Sequence, residues 1–497
     1  MIFKMKKLFN IGLVFSLLLY ATSCGDDFLD VNVDPNNPSD APVNLVFPTA
    51  VTSTASVVGG WYAILGGMWS QHWTQNNGSN QYKDFDSYNI QPTDLDFSFQ
   101  ELYTGALNDY KFVRDKAAAD ENWNFYLMAT VMQAYTYQNL VDLYDQIPFD
   151  NALQGDEGNI TPTYLAGDAV YDSLLVRIDE ALGKDLEAST SLDPGNTDFV
   201  FQGDMDQWIR FANTLKLKIY LRQVYARPQV AEAGIRALYT AGAEFLTDPA
   251  AVTIFLDQPS KSNPLFESDQ RQLNTTENIK ASTTLFSYLQ NRNDPRLDAY
   301  FIPGSSGQKS LDQGNFNAPS TVIVPASVSK VKIGATDPVY FVSVAESYFL
   351  QAEAVLRGFG TGDAQALYEA GVAAAFEQEG LDGTAFYSAG GPYEFPVAGT
   401  VEQKLEAIIM QKWVALAGTF QGIESFFEQN RTGYPRISPV AASDAAYVPG
   451  QLTYSIEGVT PGKQFPRRLL FPDTERSRNP NTPVQVPITE PVWWDRN

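Results

Sequence analysis

Between Asn122 and Val141 the chain carries no Asp, Glu, Lys or Arg. Trp123, Leu127, Thr130, Ala134, Tyr137, Val141 and Tyr144 fall at steps of three and four, the repeat of a helix. So long an uncharged run could cross a membrane, which takes about 20 apolar residues. Asn122, Asn124, Gln133, Gln138 and Asn139 argue against lipid, where unpaired amides are costly. The reading that remains is a helix over 121–144, buried on most sides and ended at Ile147-Pro148. Such a helix needs others around it, so the chain is predicted to be mainly α.

Neighbouring patterns supply those partners. Helices are predicted over 101–119, 169–188, 204–226, 342–357, 363–379, 401–417 and 420–430. Asp204-Met205-Asp206-Gln207 reads as a capping box, and Pro228 can open a further helix at its first turn. Residues 47–73 suit a helix weakened by Gly59-Gly60 and Gly66-Gly67. The helices come in pairs, 101–119 with 121–144, 169–188 with 204–226, and 342–357 with 363–379. That order suggests a tetratricopeptide-like superhelix of stacked helix pairs. A long irregular insert, 248–333, interrupts it, with short strands expected at 252–255 and 322–324.

The N-terminus carries Lys4, Lys6 and Lys7, a mostly apolar run from Leu8 to Tyr20, and then Ala21-Thr22-Ser23. This is the order of a secretory signal. Cys24 follows, the only cysteine, so no internal disulfide can form. It stands where a bacterial lipobox puts its lipidated residue, although Ala21 occupies the position where Leu is usual. The expected division is a signal peptide over 1–23 and a single large body over 24–497, anchored through Cys24. A plain signal peptide cut near Ala21 or Ser23 is the alternative. Asp30, Asn32 and Asp34 are spaced like the start of a calcium loop. Pro35 and Ala41 stand where that loop needs Gly and Glu, so Asx turns fit better and no metal is expected.

The formal charge is −24, from 34 basic and 58 acidic residues. Nucleic acid is therefore not an expected partner, because its phosphates need a basic surface. His72 is the sole histidine, which excludes histidine-cluster metal sites. Gly358-Phe359-Gly360-Thr361-Gly362 lacks the spacing and the lysine of a phosphate loop. No cofactor is expected. Catalysis would have to rest on carboxylate pairs, as in a glycosidase, and with this many acids such pairs arise by chance. The expectation is that the protein is not an enzyme.

Several segments together resemble the SusD/RagB family of nutrient-binding outer-membrane lipoproteins. They are Cys24 to Asp30, Tyr135 through Asp142 to Phe149, Trp208 to Leu217, Arg292 to Leu297, Ala345 to Ala354, Tyr368 to Val372, and Pro466 to Leu469 with Pro472, Glu475 and Asn479. Their order spans nearly the whole mature chain. The resemblance implies a helical body with tetratricopeptide-like pairs and an irregular ligand-binding part. It also implies a TonB-dependent SusC-like transporter as partner, an oligosaccharide or else a peptide as ligand, and a surface-exposed outer-membrane location. Asp26, Asp27 and Asp30 look like the family's export tag. A structural or adhesion lipoprotein with no role in import is the third class of reading.

The family does not fix its ligand residues by motif, so the binding residues are read from composition. Capture of a sugar needs aromatic faces beside amides and carboxylates. Residues 74–93 hold that mixture in Asn76, Gln81, Tyr82, Asp84 and Tyr88, with Trp69 and Trp73 just upstream. Within the long insert, Tyr300 and Phe316 are the second candidates. The plainer alternative is a solvated loop over a Trp-containing core.

Overall fold

In the computed structural model, Asn122 precedes an unbroken helix from Trp123 to Tyr144. Every residue on it from Leu127 onward is buried, the amides included. The structure describes residues 41–272 and 277–496. The expected signal peptide, Cys24, the expected acidic tag and the Asp30–Asp34 stretch lie outside the described residues.

Residues 43–497 form one compact unit. Its longer helices are α1 (Val43–Val58), α2 (Trp61–Trp69), α3 (Asn108–Ala119), α4 (Trp123–Tyr144), α5 (Gly167–Leu182), α6 (Met205–Arg222), α7 (Pro228–Thr240), α8 (Val344–Leu356), α9 (Ala364–Glu377), α10 (Val401–Gly418) and α11 (Gly422–Thr432). The expected pairs are present. α3 packs on α4, α5 on α6, and α8 on α9, and α10 lies against α8. The caps follow the sequence. Asp204 accepts from the N–H of Gln207 to open α6, Pro228 opens α7, and Thr400 with Gln403 forms a capping box on α10. Gly59-Gly60 divides the predicted 47–73 helix into α1 and α2.

Among the described residues eight short strands accompany the helices: β1 (Trp73–Gln75), β2 (Gln146–Pro148), β3 (Tyr164–Ala166), β4 (Ala250–Val252), β5 (Ile279–Ala281), β6 (Phe301–Ile302), β7 (Lys330–Val331) and β8 (Val339–Val342). The strand expected at 252–255 is β4, two residues earlier. Residues 322–324 form no strand. They lie in a turn between Pro319 and Pro325, with Val322 and Val324 exposed. The N–H groups of Val322 and Ile323 both donate to the Pro319 carbonyl, at 2.8 and 3.0 Å, which turns the segment and overrides its β-branched composition. The predicted helix over 169–188 ends early, at Leu182, because Gly183 follows it.

Buried ion pairs join the helices, and Glu346, Asp294 and Arg296 among them lie in segments that carry the family resemblance. Arg222 on α6 pairs with Glu424 at 2.7 Å and with Glu428 on α11. Lys218 bridges Glu346 and Glu424 at 3.0 and 2.9 Å. Lys412 reaches the same two glutamates at 3.4 and 3.2 Å. These charges are almost wholly buried, and their mutual pairing is what makes that burial tolerable. Arg296 is also enclosed, held by Asp294 at 2.7 Å beneath the Phe376 ring.

Candidate functional site

The four-stranded antiparallel sheet has the order β1-β5-β7-β6. Its register pairs Trp73 with Ala281, Lys280 with Lys330, and Phe301 with Val331. The sheet therefore joins the two stretches singled out in the sequence, 74–93 and the long insert. Side chains reinforce the union. The Asn77 amide donates to the carbonyls of Ala318 and Ile323 at 3.1 and 2.7 Å. The Lys83 ammonium donates to Asn317 at 3.0 Å and lies over the Phe316 ring. Asp86 accepts from the Thr74 hydroxyl at 2.6 Å and from the Gln75 N–H at 2.9 Å, and the Gln313 amide also donates to it.

Most of the nine candidate ligand residues are buried, and Asn76 and Phe316 serve this union. Trp69 is buried against Phe426, and its indole N–H donates to the Phe85 carbonyl at 3.1 Å. Asn76 is buried and donates to the Glu277 carbonyl at 2.6 Å. Tyr82 stacks on Phe85, and Tyr88 packs between Tyr454 and Phe465. Phe316 is buried beneath Lys83. Gln81 and Asp84 are exposed, and Asp84 accepts from Asn89 at 3.0 Å. Trp73 and Tyr300 differ from the rest. Each is buried, yet both stand in the wall of one cavity of about 430 Å³.

That cavity opens where β6, β7, the turn before β8, and the ends of α9 and α10 meet. Trp73, His72 and Tyr300 form its inner wall. Gly67 lets the Trp73 indole lie directly on α2, since a Cβ there would come within 2.0 Å of the ring. The indole N–H donates to the Ile64 carbonyl at 3.2 Å. His72 is fully buried and donates from Nε2 to the Trp413 carbonyl at 3.0 Å. A carbonyl can only accept, so Nε2 carries the proton. Burial lowers the His72 pKa to about 3, so the ring is neutral.

The outer wall is half-open. Tyr340 and Phe420 present partly exposed rings, and the Phe420 ring lies 6.2 Å from Trp73. Lys332, Asp337, Gln378 and Glu379 surround them with polar ends. Burial raises the Glu379 carboxyl above its ordinary range. Tyr340, Phe420 and Glu379 were not singled out in the sequence. The available signal was slight: Phe420 sits in a helix break between Gly418 and Gly422, and Glu379 precedes Gly380 at a helix end. Apolar ring faces beside amide, carboxylate and ammonium groups suit a neutral polyhydroxylated ligand, whose C–H faces stack while its hydroxyls hydrogen-bond. Among the described residues no group of three or more His, Cys, Asp or Glu could hold a metal.

A family model, SusD-like, described as starch-binding and associating with the outer membrane, matches residues 35–455. Solved structures show the same fold. A SusD homologue from Bacteroides uniformis is 23% identical with a TM-score of 0.72, over 91% of this chain and 99% of its own. A chitin-binding SusD homologue from Flavobacterium johnsoniae is 22% identical with a TM-score of 0.75, over 92% of this chain and 99% of its own. A SusD-like protein from Bacteroides thetaiotaomicron is 23% identical with a TM-score of 0.71, over 92% and 99%. No curated protein matches the sequence.

Proposed function

The chain belongs to the SusD-like family, and from that premise we propose that it captures an oligosaccharide at the outer membrane and hands it to a TonB-dependent transporter. The observation that carries this reading is the cavity walled by Trp73, Tyr300, Tyr340 and Phe420 and edged by polar side chains. Its volume of about 430 Å³ falls in the range of small-molecule sites and is large enough for one or two sugar rings. The chitin-binding relative and the starch-binding description of the family favour a glycan over a peptide.

In this reading residues 1–23 are a signal peptide and 24–497 a single body, tethered by lipid on Cys24 and exposed at the surface. The protein binds and releases its ligand without cleaving it. Binding uses ring stacking and hydrogen bonds to neutral groups, so affinity is modest and transfer onward is easy. Incubation with oligosaccharides tests this. Tryptophan fluorescence should shift while chromatography finds no shortened products. Products of hydrolysis would make it an enzyme, and neither shift nor products with any glycan would refute capture.

A further inference from the structure

We propose that Arg114 and Arg177 form an oxyanion site on the paired helices, separate from the glycan cavity, for a sulfate, phosphate or carboxylate group.

The site is built on α4. Gln133 and Tyr137 stand four residues apart on that helix and so share a face. α3 and α5 both pack on α4, and each brings one arginine to this face. Arg114, on α3, donates to the Gln133 amide oxygen at 2.8 Å. Arg177, on α5, lies over the Phe149 ring at 4.3 Å. Phe149 in turn packs edge-on against Tyr137, with ring centroids 4.7 Å apart. Two guanidiniums from separate helices therefore meet over neighbouring positions of α4. None of these residues lines the glycan cavity.

Neither arginine is satisfied by the protein. Both are half-buried, and among the described residues neither forms a salt bridge. The Arg114 Nε–H is buried without an acceptor. Arg177 donates no hydrogen bond among the described residues, so its five N–H groups are all open to a ligand. Asp150 is the carboxylate whose charge acts on Arg177, and it stands exposed without pairing with it. By contrast, Arg222, Arg296, Arg357 and Arg431 are each matched to a carboxylate.

Bringing two like charges together out of water is costly. Burial lowers the Arg177 pKa, and the charge of Arg114 lowers it further. A guanidinium does not give up its proton in a protein, so the cost stands as repulsion between the pair. An oxyanion between them would cancel that repulsion. It would accept from the Arg177 edge, whose face is taken by Phe149, and from the outer nitrogen of Arg114 that Gln133 leaves free. A neutral sugar offers this pair no charge, whereas an inorganic oxyanion or an acidic sugar does.

The test is calorimetric titration of inorganic sulfate, inorganic phosphate and glucuronate into the chain beginning at Gly25. Chloride is held at about 0.1 M, where charges beyond about 10 Å are largely screened, so the overall −24 does not decide the result. At least one of the three should bind one-to-one. Tightest binding of glucuronate would assign the site to acidic sugars, and tightest binding of sulfate or phosphate would assign it to the free anion. Arg114→Gln and Arg177→Gln should each weaken that binding about tenfold or more, the size of one charge-assisted hydrogen bond. With no oxyanion present, each variant should melt no lower than the wild type, because it removes a like-charge neighbour. Should Arg177→Gln not fold, Arg177→Met keeps the stem over Phe149 and reads the same loss. No saturable binding of any of the three anions would overturn the site. So would binding that is equally tight in the wild type and the variants, and lower melting with unchanged affinity would reduce the arginines to packing.

Discussion

The guanidinium of Arg431 grips the carboxylate of Glu353 through two parallel hydrogen bonds of 2.7 and 2.6 Å, with both side chains closed to solvent. The residues lie on α11 and α8, so the pair joins the C-terminal helices to a helix pair of the superhelix. Arg431 also holds Glu428 at 2.6 Å, and Arg357 reaches Glu353 at 2.8 Å.

Removing one partner should therefore strand a buried charge. Glu353→Ala is expected to lower stability by about 3–5 kcal/mol. Replacing both residues with methionine should cost less, because Glu428 keeps Arg222 and Lys412 and only the half-open Arg357 loses its partner. Urea denaturation of the two variants measures the difference. Equal losses would mean that the pair is not what makes the site sensitive.

Asp86 predicts a pH dependence. It is enclosed and has no cationic partner among the described residues, and burial raises its pKa from 3.8 to about 6, against the hydrogen bonds of Thr74, Gln75 and Gln313. A carboxyl whose folded pKa lies above its unfolded value binds its proton more tightly when folded. Its contribution is therefore most favourable below pH 3.8, falls as pH rises to about 6, and is flat beyond. The change is about 3 kcal/mol. Denaturation midpoints between pH 4 and 7 should slope less in Asp86→Asn than in the wild type. Parallel slopes would contradict this assignment.

Trp73 separates packing from binding. It is 1% exposed and rests on Gly67, so Trp73→Ala should cost about 3–5 kcal/mol through the void it leaves. Any loss of ligand in that variant will be mixed with loss of structure. Phe420→Ala, at a half-open ring, should leave the melting temperature much closer to that of the wild type. Calorimetric melting of both proteins checks the contrast.

Lipid attachment is tested at Cys24. Radiolabelled palmitate should enter the full chain expressed in a lipoprotein-processing bacterium and should be lost in Cys24→Ala. Label retained by that variant would refute the anchor.

The helix from Trp123 to Tyr144 was legible because its spacing is local and its lack of charge leaves it few places to go. The pairing of helices was legible for the same reason. The candidate site was not. An aromatic, amide-rich stretch has the same composition whether it faces a sugar or closes over a core. Tyr88 and Asn76 are buried by partners hundreds of residues away, as in the bond from Asn76 to Glu277. Trp73 and Tyr300 reach the cavity only because the sheet joins their strands. Glu379 and Phe420 border it because α9 and α10 end there, which no local pattern announces. The charges of Glu346 and Glu353 likewise look like solvated breaks in an apolar helix until their partners on α6, α10 and α11 are known.

Glycan capture as proposed places the oligosaccharide in the cavity between Trp73, Tyr300, Tyr340 and Phe420. Calorimetric titration of a glycan panel into the chain beginning at Gly25, beside Tyr340→Ala and Phe420→Ala, tests it most directly. At least one glycan should bind one-to-one, weakened about tenfold or more in each variant, as loss of a stacking ring would do. Binding of the same strength in all three proteins, or binding of no glycan at all, would contradict it.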